Sequence, residues 1–406
     1  MAALPCGAAI AQDGADPEQE EAEPVGPPPP APPAADKERK PVELEAWFTH
    51  SLTGFVAGDA SREWKLGGKT TLIADADLGR LGLWEGGSFR VAQEFVYGKD
   101  LLNEESGLLL PFGTIAFPRL GGKDHDTSFV LTQKIASKAT LSIGKFNLLH
   151  SARAAPLVGG GTEETFLHTA IAGPVTGIIT PYVGGAIMKV ETKPVIATLM
   201  VFDPRNAQDW RVFSHPFETG VTGALNLTFP AKIGGLPGFY SVRGVASSSK
   251  GFDLTRIPDF AELPPGSEEF LQKKGKWYVN VQAQQFLHVD PTTPGAGWGV
   301  FGYLGASDAN PNPLAWGFYA GLGGNTPGRP QDKWGLAYFK NGFSRDLLDG
   351  LNQLGINRRD ESGIEGFYNY SPAPWLQLTG DLQWLKPFET EKKDAVILTI
   401  RARVHI

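Results

Sequence analysis

The sequence is poor in cysteine, in long apolar runs and in charge. Cys6 is the single cysteine in 406 residues, so no disulfide can form within the chain. No apolar run approaches the roughly 18 residues of a transmembrane helix, which excludes a bundle of membrane-spanning helices. Charged residues make up 20% of the chain and its net charge is −7. That balance provides no basic surface for a nucleic-acid partner.

Motifs of catalysis and of cofactor binding are also missing. The seven histidines are scattered, no H-E-x-x-H pair exists and no G-x-S-x-G segment is present. The glycines at 159–161 are not followed by the Lys-Ser/Thr pair of a phosphate loop. Asp124, His125 and Asp126 could contact a cation, but in a Gly-rich connection we expect a solvated turn. The sequence therefore predicts no enzyme, no cofactor and no metal site.

What the chain does have is strict alternation, most clearly in its last segment. Residues 395–406 read AVILTIRARVHI, with apolar residues at alternate positions and Thr, Arg, Arg and His between them. Successive side chains of a strand point to opposite faces, so this segment has one apolar and one cationic face. A chain that ends on such a strand is typical of an outer-membrane barrel, whose apolar face meets lipid and whose polar face meets a water-filled lumen.

Sixteen segments with this pattern lie between clusters of Gly, Pro, Asn and Asp. Each is close to the roughly 9–11 residues that a tilted strand needs to cross hydrocarbon. The sequence thus predicts an all-β fold, a transmembrane antiparallel β-barrel of about 16 strands. The predicted strands are 47–57, 65–77, 87–97, 126–135, 139–147, 180–190, 195–203, 219–230, 238–247, 276–288, 298–308, 314–322, 333–341, 362–371, 376–385 and 395–406.

The two faces of these segments differ in charge. In 376–385, Leu382 and Trp384 share one face, whereas Asp381 and Gln383 share the other. A soluble sandwich or propeller with aromatic core ends is the alternative, but the polar face repeatedly carries Gln, Asn, Arg and Glu while the apolar face lacks charges. Aromatic residues begin or end many segments, as they do in the girdles at membrane interfaces. These residues are Trp47, Tyr97, Trp277, Trp298, Trp334, Tyr370 and Trp384.

The N-terminal region has a different composition. Residues 1–11 end in an A-x-A pattern and are predicted to be the remnant of a secretory signal peptide that starts upstream of Met1. Residues 12–45 are acidic and then Pro-rich, which predicts a disordered segment that lies in the periplasm. The barrel domain is expected to comprise residues 46–406.

The C-terminal part carries a family signature. Residues 363–387 read GIEGFYNYSPAPWLQLTGDLQWLKP, and DAVILTIRARVHI follows. This region resembles the carbohydrate-selective porins of the OprB family, in which a Glu- and Tyr-rich strand leads to an Asp-Leu-Gln-aromatic run and a proline. Residues 144–147 and 199–204 are also similar to that family, whereas the final Ile406 departs from the more common terminal aromatic residue. The matching positions are Glu365, Tyr368, Asn369, Trp375, Asp381, Leu382, Gln383 and Pro387.

The resemblance implies a sixteen-stranded monomeric barrel, with a trimer as the alternative, in the outer membrane of a Gram-negative-type bacterium. It also implies passive, selective diffusion of monosaccharides such as glucose into the periplasm. The expected partners are small sugars and outer-membrane lipid. A general or non-sugar porin of the same fold, an outer-membrane barrel enzyme and a soluble β-rich binding module remain alternatives.

Sugar passage requires weak hydrogen bonds from many groups, which amides, Arg and carboxylates can supply. Alternation and family position together give a predicted pore lining, although each such charge could instead pair within the wall. Arg90, Glu94 and Lys145 are the leading candidates for a constriction. The predicted pore-lining residues are Lys69, Asp75, Arg90, Glu94, Lys145, Asn147, Arg243, Gln282, Gln284, Glu365, Asp381, Gln383, Arg401 and Arg403.

Long connections at 98–125, 148–179, 204–218, 248–275 and 342–361 interrupt the rhythm of the strands. In porins, one such connection usually folds inward and narrows the pore. Arg345 to Leu354 has leucines at helical spacing, which predicts a short amphipathic helix that packs within its connection.

Overall fold

The computed structural model describes residues 40–98, 106–119, 122–152, 155–159, 163–173, 176–260, 263 and 271–406. The predicted signal remnant at 1–11, and the predicted disordered segment up to residue 39, lie outside this range. The first strand begins at Val42, before the expected start of the barrel domain at residue 46.

Sixteen strands form one closed antiparallel barrel in the described part of the chain, which confirms the predicted fold. Each strand pairs with its neighbours in sequence, and the first pairs with the last. The strands are β1 (Val42–Ala57), β2 (Lys65–Asp77), β3 (Gly87–Gly98), β4 (His125–Ala136), β5 (Ala139–Asn147), β6 (Tyr182–Glu191), β7 (Ile196–Phe202), β8 (Thr222–Ile233), β9 (Leu236–Phe252), β10 (Gln272–Val289), β11 (Gly297–Ser307), β12 (Leu314–Thr326), β13 (Arg329–Phe343), β14 (Glu361–Ala373), β15 (Leu376–Lys386) and β16 (Ala395–His405).

The alternation of each strand places apolar residues outside and polar residues inside. In β15, Leu382 is 51% exposed, whereas its neighbours Asp381 and Gln383 are 1% and 0% exposed. A soluble sandwich or propeller would show the reverse. An apolar outer surface around a polar interior is the pattern of a barrel that contacts lipid, since every backbone group must be paired in hydrocarbon.

The seam between β1 and β16 closes the barrel. The two strands pair in register from Trp47 opposite His405 to Ala57 opposite Val396, with one irregularity near Phe55. Ile406, which departs from the family pattern, extends the seam: its N–H donates to the carbonyl of Ala46, and the Ala46 N–H donates back, both at 2.9 Å. The terminal residue therefore contributes backbone pairing, which does not depend on an aromatic side chain.

Several strands are longer than the sequence predicted. β9 has 17 residues and β10 has 18, because both continue beyond the alternating segments at 238–247 and 276–288. The extensions carry polar residues on both faces, such as the serines at 247–249 and the lysines at 273 and 274. At roughly 3.4 Å per residue, strands of this length project beyond the hydrocarbon layer.

The two ends of the barrel differ. Short turns, such as 137–138 and 234–235, lie at the end where β1 begins and β16 ends. Long connections lie at the opposite end and contain the helices. These are α1 (Leu148–Ala152), α2 (Thr169–Ala172), α3 (Arg211–Ser214), α4 (Ile257–Phe260) and α5 (Arg345–Gln353), with 3-10 turns at Thr114–Ala116 and Leu254–Arg256. Among the described residues, no helix is both long and apolar enough to cross a membrane.

Helix α5 confirms the predicted amphipathic helix in the connection between β13 and β14. Its residues Leu347, Leu348 and Leu351 pack on an apolar cluster that includes Phe343 and Phe388. The helix thus covers the end of the wall, as expected of packing within a connection.

Candidate pore and substrate site

One long connection folds into the barrel. We call its described residues 155–159 and 163–173 the inner loop. Phe166 is fully buried and meets Phe367 edge-on, with ring centroids 4.9 Å apart, and also Phe301 at 5.7 Å. Because both partners project inward from the wall, the inner loop fills part of the lumen with apolar side chains. This agrees with the expectation that one connection narrows the pore.

Polar wall residues hold the backbone of the inner loop. The Glu365 carboxylate accepts hydrogen bonds from the backbone N–H groups of Leu167 and His168, the second at 3.0 Å. Arg401 donates to the carbonyls of Glu163 and Thr165 at 2.7 and 2.9 Å. Irregular backbone inside a barrel needs such partners, since an unpaired buried N–H or carbonyl is costly.

Glu94 on β3 is the centre of a second buried polar cluster, separated from Arg401 on β16 by the two strands β1 and β2. It lies 3.2 Å from the Lys69 ammonium and accepts hydrogen bonds from Asn147 at 2.9 Å and Tyr182 at 2.8 Å. His150 Nε2 is 3.0 Å from the same carboxylate. With 2% of its surface exposed, Glu94 has its hydrogen-bonding capacity used within the protein.

Lys69 links this cluster to the inner loop. Its ammonium lies 2.5 Å from the carboxylate of Glu163, in addition to its contact with Glu94. The inner loop is therefore held both by the Glu94 cluster, on β2 and β3, and by Arg401, on β16.

The structure does not gather Arg90, Glu94 and Lys145 around one opening. Lys145 pairs with Asp126 at 2.6 Å, and both are buried. Asp126 faces Glu94 across β3 and β4, so these two ion pairs are neighbours. Arg90 lies four residues before Glu94 on β3 and forms a bidentate pair with Asp75, both bonds being 2.7 Å. Of the three, Arg90 alone is exposed, at 52%.

The predicted C-terminal lining residues face the lumen but are covered. Gln383 donates to the carbonyl of Phe112 at 3.0 Å. Arg403 pairs with Glu164 of the inner loop, and its guanidinium lies over the Trp47 ring at 4.6 Å. Alternation assigned the correct face to these side chains, but it could not reveal that connections lie on top of them. The lining residues that are buried by such contacts are Lys69, Glu94, Lys145, Asn147, Gln284, Glu365, Asp381, Gln383, Arg401 and Arg403.

A different part of the wall carries polar groups that the inner loop does not pair. Arg243 on β9 lies in register between Asn226 on β8 and Asn280 on β10; Arg243 and Asn226 are half-buried and Asn280 is buried. The Nε of Arg243 is buried and has no hydrogen-bond partner in the described part of the chain. Among the residues that the structure describes, Arg243 also forms no salt bridge, in contrast to Lys69, Lys145 and Arg401. We call Arg243 with these two asparagines the Arg243 row.

Tyrosines adjoin the Arg243 row. Tyr303 and Tyr319 pair across β11 and β12, with their rings stacked 5.1 Å apart at 8°. Gln282 donates to the Tyr319 hydroxyl at 2.9 Å. Gly305 makes room for two tyrosine hydroxyls, because a Cβ there would overlap the Tyr278 hydroxyl oxygen and lie 2.7 Å from that of Tyr303. Sequence reasoning missed Asn226, Tyr303 and Tyr319, although their place on the lumen face was a usable signal.

The triplet at 124–126 forms internal ion pairs. Asp124 lies 2.6 Å from Arg119, and Asp126 pairs with Lys145. Within the described ranges, no group of His, Cys, Asp or Glu side chains is arranged to hold a metal ion.

A closed barrel with an apolar outer face, a polar lumen and a connection folded inside defines a porin of the outer membrane. The model of the carbohydrate-selective porin family, OprB, matches residues 65–406, and the chain belongs to that family. The protein is therefore a channel for carbohydrates in the outer membrane of Gram-negative bacteria and not an enzyme.

Solved structures agree with the fold. The high-pH structure of Pseudomonas putida OprB is similar with a TM-score of 0.74 and 19% identity, covering 90% of this chain and 94% of that one. Vibrio cholerae OmpT is similar with a TM-score of 0.51 and 12% identity, covering 90% and 97%. No curated protein sequence matches the chain.

Proposed function

We propose that the preferred solutes are monosaccharides such as glucose, and that they bind briefly at the Arg243 row as they pass. The observation that carries this proposal is the state of Arg243. It is a half-buried cation that forms no salt bridge with the described residues, and it has an asparagine in register on each side. The charges that hold the inner loop are buried and engaged by it, so they have little left to offer a solute.

The chemistry of the Arg243 row suits a sugar. Guanidinium N–H groups donate to hydroxyl oxygens, while an asparagine amide both donates and accepts, as a sugar hydroxyl does. Such neutral or singly charged bonds are individually weak, because they replace bonds to water. Weak binding at several points favours entry and still permits exit, which is what diffusion through a channel requires. The neighbouring Tyr303 ring supplies a flat apolar surface for the C–H groups of a sugar ring.

Arg90 with Asp75 is the second candidate for contact with the solute. The pair is at the short-turn end of the lumen and is the most exposed of the predicted lining charges. Opposite charges held side by side keep a passage hydrated without giving it a strong net field. We assign it to the exit of the pore.

The orientation follows from the asymmetry of the two ends. Porins place short turns in the periplasm and long connections outside. By that rule, both chain ends and the N-terminal segment are periplasmic, and the connections that contain α1–α5 face the exterior. Sugars then pass the inner loop before they reach the Arg90–Asp75 pair.

A monomeric channel is the assembly that the outer surface supports. Exposed apolar side chains occur all around the barrel, for example Leu52 on β1, Leu199 on β7, Val281 on β10 and Leu382 on β15. An apolar band on every side of the barrel suits contact with lipid around the whole circumference. A trimer would need one side of the barrel with a different surface that packs against the other subunits. The mass of the protein in detergent tests this, because a trimer would be three times as large.

The Arg243 row can be tested by liposome swelling. Replacement of Arg243 by Gln removes the guanidinium, and we expect the glucose swelling rate to fall severalfold relative to that of a non-sugar solute of similar size. Arg62→Gln, in an exposed connection, is the matched control and should retain the ratio. An unchanged ratio in the Arg243 variant would place sugar recognition elsewhere. A general porin would show no preference for glucose in any of the proteins.

A further inference from the structure

We propose that a cavity at the long-connection end of the barrel binds a phosphate-bearing saccharide. The cavity has a volume of about 750 Å³ and lies between the connection 203–221 and the ends of β9 and β10. Four cationic side chains line it, against one carboxylate, Glu218. The cations are Arg205, Lys250, Lys274 and Lys276.

The pairing of two lysines is the strongest indication that the cavity binds an anion. Lys250 and Lys274 are direct cross-strand partners in the β9–β10 ladder. Like charges in that relation repel each other and destabilise the sheet. In the described part of the chain, neither of the two lysines forms a salt bridge. An anion held between them would turn this repulsion into two attractions.

The other charged groups do not cancel this potential. Glu218 lies 3.2 Å from Arg205, so the single carboxylate of the lining is already paired. Arg205 is also held by Asp203, at 2.7 and 2.9 Å. Lys276 has Asp308 in its surroundings. The unbalanced charge of the cavity therefore rests on Lys250 and Lys274.

A phosphomonoester fits two opposed lysines, since it carries roughly −1.5 to −2 charges at neutral pH and three acceptor oxygens. The cavity is much larger than a phosphate and falls in the range of roughly 300–1,000 Å³ that is usual for small-molecule sites. The hydroxyl of Thr219 and the exposed ring of Phe217 are available to the rest of the ligand. A saccharide with a phosphate group matches this combination of charge, a hydroxyl and one apolar surface.

Two sources share this chemistry: a free sugar phosphate, and the phosphorylated headgroup of a glycolipid in the same membrane leaflet. The first arm of the test is calorimetric titration of the detergent-solubilised protein with glucose 6-phosphate and with glucose. We expect saturable binding of glucose 6-phosphate at this site, whereas the weak binding of glucose belongs to the Arg243 row and should not depend on Lys250 or Lys274. The double variant Lys250→Gln/Lys274→Gln should bind at least about tenfold more weakly, since charged hydrogen bonds are the stronger kind. Its control is Lys134→Gln/Lys232→Gln, which removes two exposed lysines at the short-turn end.

The second arm measures retention of monophosphoryl lipid A, or of its dephosphorylated form, on the protein in nanodiscs by native mass spectrometry. Retention of the phosphorylated form that depends on Lys250 and Lys274 identifies the glycolipid as the source, and calorimetric binding alone identifies the free sugar phosphate. Binding of neither probe, or binding that the control variant weakens equally, overturns the proposal. Neither arm measures glucose passage, so a negative result here does not contradict the proposal that sugars bind at the Arg243 row.

Discussion

At the scale of the residue, charges in this barrel have two separate tasks. Those of Glu94, Lys69, Glu365 and Arg401 hold connections in place, whereas Arg243 forms no salt bridge with the residues that the structure describes. Removal of one member of a buried pair leaves the other without compensation, which costs far more than loss of an exposed charge. Substitutions should therefore divide into those that change stability and those that change selectivity.

Glu365→Gln should loosen the inner loop. The carboxylate accepts from two backbone N–H groups, and an amide offers one acceptor and directs N–H groups toward the other. We expect a loss of about 1–3 kcal/mol in the free energy of unfolding, the usual cost of leaving buried polar groups unpaired. Single-channel recordings should also show noisier and larger currents. Glu43→Gln, at an exposed site on β1, should change neither property. Quiet, normal currents in the Glu365 variant would mean that other contacts hold the loop.

At the scale of the element, Gly144 is required for the pairing of β4 with β5. Its φ is +151°, and an added Cβ would overlap the carbonyl oxygen of Phe129. Since backbone cannot move aside as a flexible side chain can, Gly144→Ala should destabilise the barrel by about 1–3 kcal/mol. Gly380→Ala is the matched control, because a Cβ there meets nothing within 4 Å. Unfolding in urea compares the two variants, and equal midpoints would contradict this account of Gly144.

The connection 203–221 is predicted to depend on pH through Asp203. Burial opposes ionisation, but hydrogen bonds from Arg205 and from the Phe217 N–H outweigh it and hold the pKa of Asp203 below its ordinary value of 3.8. A lowered pKa in the folded state stabilises the connection fully above pH 3.8, and this stabilisation is lost as the pH falls through the lowered value.

Amide hydrogen exchange in residues 204–217 tests this dependence. Asp203→Asn should exchange faster than the unchanged protein at pH 7, and the difference should shrink as the pH falls below 3.8. Comparison at each pH removes the intrinsic effect of pH on exchange. A difference that stays constant down to the lowest pH would assign the order of this connection to other groups.

The strands could be predicted from sequence far better than the site. Each strand has apolar and polar residues at alternate positions, and a shift of one residue would place every side chain on the opposite face. This pattern is visible in the sequence itself, and all sixteen strands were predicted from it. The extensions of β9 and β10 carry no alternation, and their bounds were missed for that reason.

The sequence around each predicted lining residue does not show that a connection will bury it. Glu365 and its partner Leu167 are 198 positions apart in the chain, and their contact depends on how the inner loop crosses the lumen. Alternation identified the inward face of Glu365, Asp381 and Arg401 correctly. Which inward residues are covered is decided by tertiary packing, as the contacts of Glu365 and Arg401 with the inner loop illustrate.

At the scale of the whole molecule, the barrel is a selective passage because part of its lumen is filled. The inner loop packs on wall residues from several strands, including Phe301 on β11 and Tyr319 on β12. We propose that sugars pass beside the Arg243 row. A sugar that follows this path must replace its water contacts with bonds to that wall. We therefore expect the channel to prefer sugars and to need no energy source.

The most direct test of this claim is the ion current through single channels in a planar bilayer as glucose is added. A transient bound sugar obstructs ions, so glucose should reduce the conductance in a saturable manner, whereas triethylene glycol at the same concentration should reduce it only in proportion to bulk conductivity. Saturable block by glucose alone is the predicted result. Equal and unsaturable effects of both solutes would contradict a sugar site in the pore.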